Sequence, residues 1–416
     1  MTTPRELYVN AITCAGIVGD GCHDDTHGLQ AVLDSGATTI YLPTPPGHYL
    51  ISKTLVIHSG QTLLVDRQAV IRLADHAHAY LLTNADHVQG DQGITVIGGI
   101  WDGNNTQQTC EYHQQYNWRI PYDPQRYLGV LFQFNKVTDL RIAHLTFKDP
   151  ETYGLQAGNL QRFTIEDITF DYNLLRNNMD GVHIHGNSHQ GRIVNLKGTT
   201  NDDLVALNAD DGSMFEISRG PITDILVDGI WSTNGYTAVR LLSAGSPVQR
   251  IALRNIFGTY RVNVVSLTNH NVHPGTASTF DDISLDGLFC AKAVESSGDS
   301  PIWIAAPAVV GNLTIRNYHR TEEQRAVDDI RIDAGATVRY LGMSDCSVIN
   351  RTPDAIALLQ NQGTIDTLQL TNIYLRAEGE TAPGTIVRNT GTIHAQNTQN
   401  VVAGSPLDRK TALPAG

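Results

Sequence analysis

The sequence predicts an all-β solenoid, and three observations carry that prediction. A short apolar motif recurs along most of the chain, helical periodicity is almost absent, and glycine is abundant (37) where methionine is scarce (4). The motif is apolar-x-apolar-x-x-apolar. It reads Leu140-x-Ile142-x-x-Leu145, Phe163-x-Ile165-x-x-Ile168, Ile225-x-Val227-x-x-Ile230, Ile251-x-Leu253-x-x-Ile256, Ile283-x-Leu285-x-x-Leu288, Leu313-x-Ile315-x-x-Tyr318 and Leu368-x-Leu370-x-x-Ile373. Gly191-x-Ile193-x-x-Leu196 fits more loosely. With the second apolar position as register mark, 142 leads to 165, 193, 227, 253, 285 and 315 in steps of 23, 28, 34, 26, 32 and 30 residues. A further step of 55 reaches 370 and leaves room for one more coil near Val338-Arg339-Tyr340. A unit this short cannot bury its apolar face alone, so the coils must stack, with parallel strands turning that face inward. The irregular period and the lack of hairpin turn pairs count against a sandwich or propeller.

Taken in order, the chain opens with a candidate cap at 19–60. Gly19-Asp20-Gly21 reads as a turn, and residues 27–33 place Leu29, Val32 and Leu33 on one helical face, with Asp25 or Thr26 as N-cap. Thr39-Ile40-Tyr41-Leu42 reads as a strand stopped by Pro43, and Gly47-His48-Tyr49-Leu50-Ile51 as another. The stretch GDGCHDDTHGLQAVLD…TTIYLPTPPGHYLIS resembles the N-terminal signature of the pectate-lyase superfamily. That resemblance implies a right-handed parallel β-helix in which a short N-terminal helix caps the first coil.

Between the coils of Val96 and Ile142 lies an insertion, 102–127, rich in aromatics and amides, among them Tyr112, Tyr116, Trp118, Tyr122 and Tyr127. Such a loop serves either as a sugar-stacking wall or as packing on the solenoid flank. Residues 398–416 read as a C-terminal cap or tail. No composition shift marks a second domain, so 1–416 is expected to form one.

Composition narrows the partners. A net charge of -13 argues against nucleic acid, whose phosphates demand basic surface. No run approaches the ~18 apolar residues of a membrane span. The five cysteines (Cys14, Cys22, Cys110, Cys290, Cys346) are scattered without paired spacing and are expected to be free thiols of a reducing compartment. The start, MTTPRELYVNAITCAG, has no apolar signal-peptide core. It points to the cytoplasm, or to secretion if a leader has been removed.

Chemistry concentrates in 177–212, which holds Asp180, Asp202, Asp203, Asp210 and Asp211 with His183, His185 and His189. Asp180 and the Asp202-Asp203 pair are one coil length apart, which stacks them about 4.8 Å apart along the solenoid. Crowded carboxyls raise at least one pKa and supply an acid beside a base, as glycosidic cleavage needs. His183 and His185 alternate on a strand and share a face, suited to substrate hydrogen bonds or a proton relay. Asp210-Asp211-Gly212 reads as a turn with one substrate contact.

The wording Asn178-Met179-Asp180-Gly181 and Asp202-Asp203-Leu204-Val205-Ala206-Leu207 resembles the polygalacturonase family of inverting β-helix glycoside hydrolases. The resemblance implies Asp202 as general acid, with Asp180 and Asp203 activating water. Two departures follow: Tyr236 stands where the family has a histidine, and Arg261 has no lysine partner where the family's Arg-x-Lys grips a uronate. The candidate substrate contacts are His183, His185, Asp210, Asp211, Tyr236, Arg240, Arg261, Trp118 and Tyr153. The expected function is hydrolysis of an oligo- or polysaccharide without cofactor or metal. The alternatives are a uronate lyase or epimerase, a glycosyl transferase, or a tailspike-like glycan-binding protein.

Overall fold

The computed structural model describes residues 8–109, 119, 121–123, 126–212, 214–270, 272–378, 382 and 384–404. The chain is a right-handed parallel β-helix. Its strands form a 20-stranded sheet and a 12-stranded sheet, and the coils stack through parallel pairing. The 12-stranded sheet takes one short strand per coil, from Leu55–Ile57 to Thr385–Asn389. From Gln161–Asp171 onward the other sheet is built from long bent strands.

The register mark of the repeat is the register of the structure. Ile142 pairs with Ile165, then Ile193, Val227, Leu253, Leu285, Ile315, Met343 and Leu370 in turn. The coil in the step of 55 therefore centres on Met343, within strand Thr337–Asn350. Facing this column across the core stand Leu155, Val182, Val205, Val239, Val265, Ile302, Ile330 and Leu359, all fully buried.

The two-residue gap in the motif has a backbone cause. Its second position bends the strand in the left-handed region, as at Asp167, Asn195, Asn255, Asn317, Asp345, Asn372 and Asn400. Asn and Asp tolerate that conformation and bond their neighbours: Asn195 donates to Asp167 at 3.0 Å and Asn372 to Asp345 at 2.8 Å. The loose fit at Gly191 is packing. A Cβ there would lie 2.1 Å from the Phe163 ring of the coil before.

At the N-terminal end, helix Thr26–Leu33 buries Leu29, Val32 and Leu33 in the core. The edge strand Leu55–Ile57 meets it through Gln30, whose amide accepts from Val56 N–H at 2.8 Å and donates to Val56 C=O at 3.1 Å. An open sheet edge is thereby covered. Asp25 holds the N-cap position without a capping hydrogen bond, because its carboxylate accepts instead from Val18 and Gly19 N–H. At the other end, residues 398–404 continue strand Thr392–Gly404 instead of starting a tail; the rest of 398–416 lies outside the described residues. Cys14, Cys22, Cys290 and Cys346 are free thiols, and Cys110 lies outside the described residues. No described helix is long and apolar enough to cross a membrane.

Gly191→Ala should cost about 1–3 kcal/mol by overpacking, read as a lower urea midpoint. Adding Phe163→Leu should recover part of the loss, because contacting residues couple.

Candidate active site

The cleft lies on the outer face of the 12-stranded sheet, where five consecutive coils bring their side chains together. Strand Val182–His185 turns Val182 and Ile184 inward and His183 and His185 outward, by the two-residue period of a strand. Asp180 precedes this strand. Gly181 N–H donates to the carbonyl of Asp203 at 2.9 Å, and Gly154 N–H to that of Asp180 at 3.0 Å. Tyr153, Asp180 and Asp203 thus follow one another up the stack, with Asp202 beside them. Asp180, Asp202 and Asp203 each offer an oxygen within 4.8 Å of the others.

Arg240 is the counter-charge. Its Nε lies 2.9 Å from Asp203 Oδ2 and an Nη 3.3 Å from Asp202 Oδ1. In register, the column through His183 passes Ala206 before it reaches Arg240. The short alanine leaves room between the larger side chains, and a cleft of about 350 Å³ opens there. Tyr153, Asn178, Asp180, His183, Asn208, Asp211, Arg240, Leu242 and His270 line it.

The carboxylates lie on the outer face of the sheet and are nevertheless largely shielded from solvent. Asp180 and Asp203 are buried, and only Asp202 keeps a side chain 16% exposed. Burial pushes Asp203 up to about 8 against the pull of Arg240, and Asp211 up to about 6. It also raises Asp202, and raises Asp180 well above the usual range with help from the charges of Asp202 and Asp203. Burial opposes the charge of Arg240, but Asp203, Asp202, Asp180 and Asp211 together outweigh it and hold the guanidinium charged. Four carboxyls around one guanidinium cannot all ionise, so the cluster holds protons at neutral pH.

The histidines are neutral. Burial lowers His183 well below its ordinary value and His185 to about 4. His183 Nδ1 lies 2.6 Å from Asp180 Oδ2, and its ring stacks between Tyr153 (4.3 Å) and His185 (4.5 Å). Gln156 donates its amide to His185 Nε2 at 3.1 Å, which leaves the His185 proton on Nδ1.

Other expected contacts sit differently. Asp210 is no cleft residue: in a left-handed turn (φ 61°), its carboxylate accepts from Gly220 N–H at 2.8 Å and Ser246 N–H at 2.7 Å. Asp211, next to it, faces the cleft and accepts from Asn208 at 3.1 Å. Tyr236 and Arg261 stand outside the cleft lining. Arg261 packs over the Tyr236 ring at 5.4 Å and donates to Thr200 C=O and Asn201 Oδ1, fixing the turn that carries Asp202. Trp118 lies outside the described residues.

Four lining residues were absent from the expected contacts: Asn178, Asn208, Leu242 and His270. Asn178 belongs to the motif already quoted for Asp180. Asn208 and Leu242 follow His185 in register and are found by counting coils. His270 sits beyond strand Val265–Thr268, where no repeat signal reaches. The three aspartates approach closely enough to hold a cation, but Arg240 already supplies the positive charge there.

The raised carboxylates have a consequence for stability. Folded Asp203 keeps its proton up to about pH 8, and an unfolded aspartate releases it near about 4. The folded state then binds more protons, so this group's stabilisation declines as pH rises through that window. His185, depressed to about 4, acts with the opposite sign, but only below about 6.5. Stability to urea should therefore fall from about pH 6.5 to about pH 8, and Asp203→Asn should flatten that fall.

The chain is similar to known proteins in sequence and in fold. Residues 8–248 match the family model described as rhamnogalacturonase A/epimerase, pectate lyase-like. An exopolygalacturonase of Arabidopsis thaliana is 20% identical over 239 residues, 56% of this chain and 52% of that protein. The chain thus spans about half the length of the curated relative it matches. Among solved structures, the family 28 exopolygalacturonase of Yersinia enterocolitica superposes with a TM-score of 0.55 at 15% identity, over 98% of this chain and 80% of that one. The polygalacturonase of Erwinia carotovora ssp. carotovora gives 0.50 at 15% identity over 98% of both chains. Gene product 12 of bacteriophage phi29, in its pre-mature form, gives 0.57 at 14% identity over 94% of this chain and 57% of that one. At these identities the structures share the fold. The family model matches more than half of the residues, and on that match the chain belongs to the rhamnogalacturonase A/epimerase family of pectate lyase-like proteins.

Proposed function

We propose that the chain is a glycoside hydrolase cleaving a bond within an oligo- or polysaccharide. One observation carries the reading: three carboxyl groups converge within 4.8 Å in a cleft that keeps some protonated beside one arginine. A proton for the leaving oxygen and a carboxylate to activate water are then present together. Asp202, the most accessible, is the acid; Asp180 and Asp203 flank the water and act as base through the member of that coupled pair that has released its proton, with His183 fixing Asp180.

Inversion commonly separates the two carboxyls by ~6.5–9.5 Å, with the water between them. The nearest oxygens of the three aspartates lie within 4.8 Å, closer than that spacing and nearer the ~5–5.5 Å of retaining enzymes, so the product anomer decides between the two outcomes. Elimination or epimerisation needs a free cation against a uronate. Arg240, the one cation lining the cleft among the described residues, is already committed to Asp202 and Asp203. A neutral sugar at the point of cleavage fits this balance of charge better than a uronate.

Asp202→Asn should lower turnover by about 10²–10⁴-fold with the fold intact, measured as reducing ends released from a glycan library. NMR of the first product anomers reads the stereochemistry. Products absorbing in the ultraviolet as unsaturated uronates would establish elimination and defeat the hydrolase reading.

A further inference from the structure

Resting on that reading, we propose that the cleft is closed at its N-terminal end, so that the protein acts on polysaccharide ends and not within the chain. The outer face of the 12-stranded sheet carries one column in register: Thr83, Gln133, Gln156, His183, Ala206 and Arg240. A groove open at both ends would leave the outward side chains of this column in contact with water on both sides of the site. On the N-terminal side, Gln133 and Gln156 are 0% exposed. Further out on that side Thr83 is half-buried. On the C-terminal side the column continues through Ser266, also buried, and then opens: Trp303, Arg331 and Gln360 are half-buried and Arg388 is exposed.

Tyr122 is what covers the closed side. Its hydroxyl lies 2.6 Å from His87 Nδ1 and 3.4 Å from Gln133 Oε1. Its backbone N–H donates at 2.8 Å to the carboxylate of Glu216, which reaches over from the segment that follows Asp211. Beneath this bridge the polar groups are used up among themselves: Gln133 donates to Gln156 at 3.1 Å, and Gln156 to His185 at 3.1 Å. The amide nitrogens of Gln133 and Gln156 are thereby engaged within this stretch and not turned towards a sugar hydroxyl. Beyond the bridge the same face holds a separate hollow of about 670 Å³, bounded by Thr83, His87 and Tyr127. The bridge keeps it apart from the cleft of about 350 Å³, which is near the small end of the ~300–1,000 Å³ typical of ligand sites. A terminal unit fits this cleft, and the rest of the polymer leaves over the open C-terminal coils.

The test follows digestion of rhamnogalacturonan, which offers neutral rhamnose beside uronate, and of a neutral galactan, by viscosity, reducing ends and product length. The unaltered protein should release one short product from the first time points, with little viscosity lost per bond broken. Glu216→Ala and Tyr122→Ala should join the two hollows, producing intermediate lengths and a severalfold larger viscosity loss per bond. Their cleavage of short oligosaccharides should stay within about twofold of the parent. Tyr122→Phe, which keeps the ring against His87, should fall between parent and Tyr122→Ala. Intermediate lengths released early by the unaltered protein would overturn the closed end. A binding assay with the Asp202→Asn variant and oligosaccharides of these polymers, free or blocked at both ends, separates the two readings. End-selective binding without turnover by the parent defeats the hydrolase and supports the closed end. Equal binding of blocked and free chains, with parental turnover intact, defeats the closed end and leaves the hydrolase. Neither binding nor turnover defeats both.

Discussion

Parallel pairing between coils is the constraint on which the rest of the structure depends. Neighbouring strands lie about 4.7–4.9 Å apart, so whatever a coil places at one position meets its equivalent on the next. Inside, this turns scattered aliphatic residues into continuous columns such as Ile165, Ile193 and Val227. At the bends it selects Asn, Asp and Gly, which accept the left-handed backbone and bond along the ladder. On the outer face it forces acidic residues of successive coils against each other. Asp180 and Asp203 share a patch because Val182 and Val205 share a register.

Such crowding is tolerable only because the charges are unequal in environment. A buried ion pair must overcome the desolvation of both partners, and it does so only with close geometry. Arg240 brings its Nε to 2.9 Å from Asp203 and an Nη to 3.3 Å from Asp202. Asp180 has no guanidinium contact and leans on His183, itself held neutral by burial and by rings on both sides. The same sheet thus presents one carboxyl paired to an arginine and another paired to a neutral imidazole. Acid and base functions separate through such differences between neighbouring carboxyls.

The fold was legible because its signal is repeated. Six register steps agree with the pairing, and the coil inside the step of 55 lies only a few residues from where the gap placed it, at Met343. The convergence of Asp180, Asp202 and Asp203 was legible for the same reason, since it follows from coil length alone. Their burial was not, because the repeat tells which side chains point outward and not what packs over them. Asp210 and Asp211 show the limit most clearly. They are adjacent in sequence and alike in chemistry, yet the left-handed φ at Asp210 sends one carboxylate to backbone amides and the other into the cleft. Arg261 was equally ambiguous: its coil position was readable, but not that it would secure the turn of Asp202.

Asp210 also explains how the cleft comes to be asymmetric. Its carboxylate ties Gly220 back to the start of the segment and joins both to Ser246 of the next coil. His273 strengthens this knot by donating to the Asp210 carbonyl at 2.7 Å while stacking on Phe215 at 4.0 Å. The segment it closes carries Asp211 into the cleft near one end and Glu216 towards Tyr122 in its middle. One anchored loop therefore both carries Asp211 into the cleft and reaches over to the wall on the N-terminal side, so loosening the knot at Asp210 would disturb the two together.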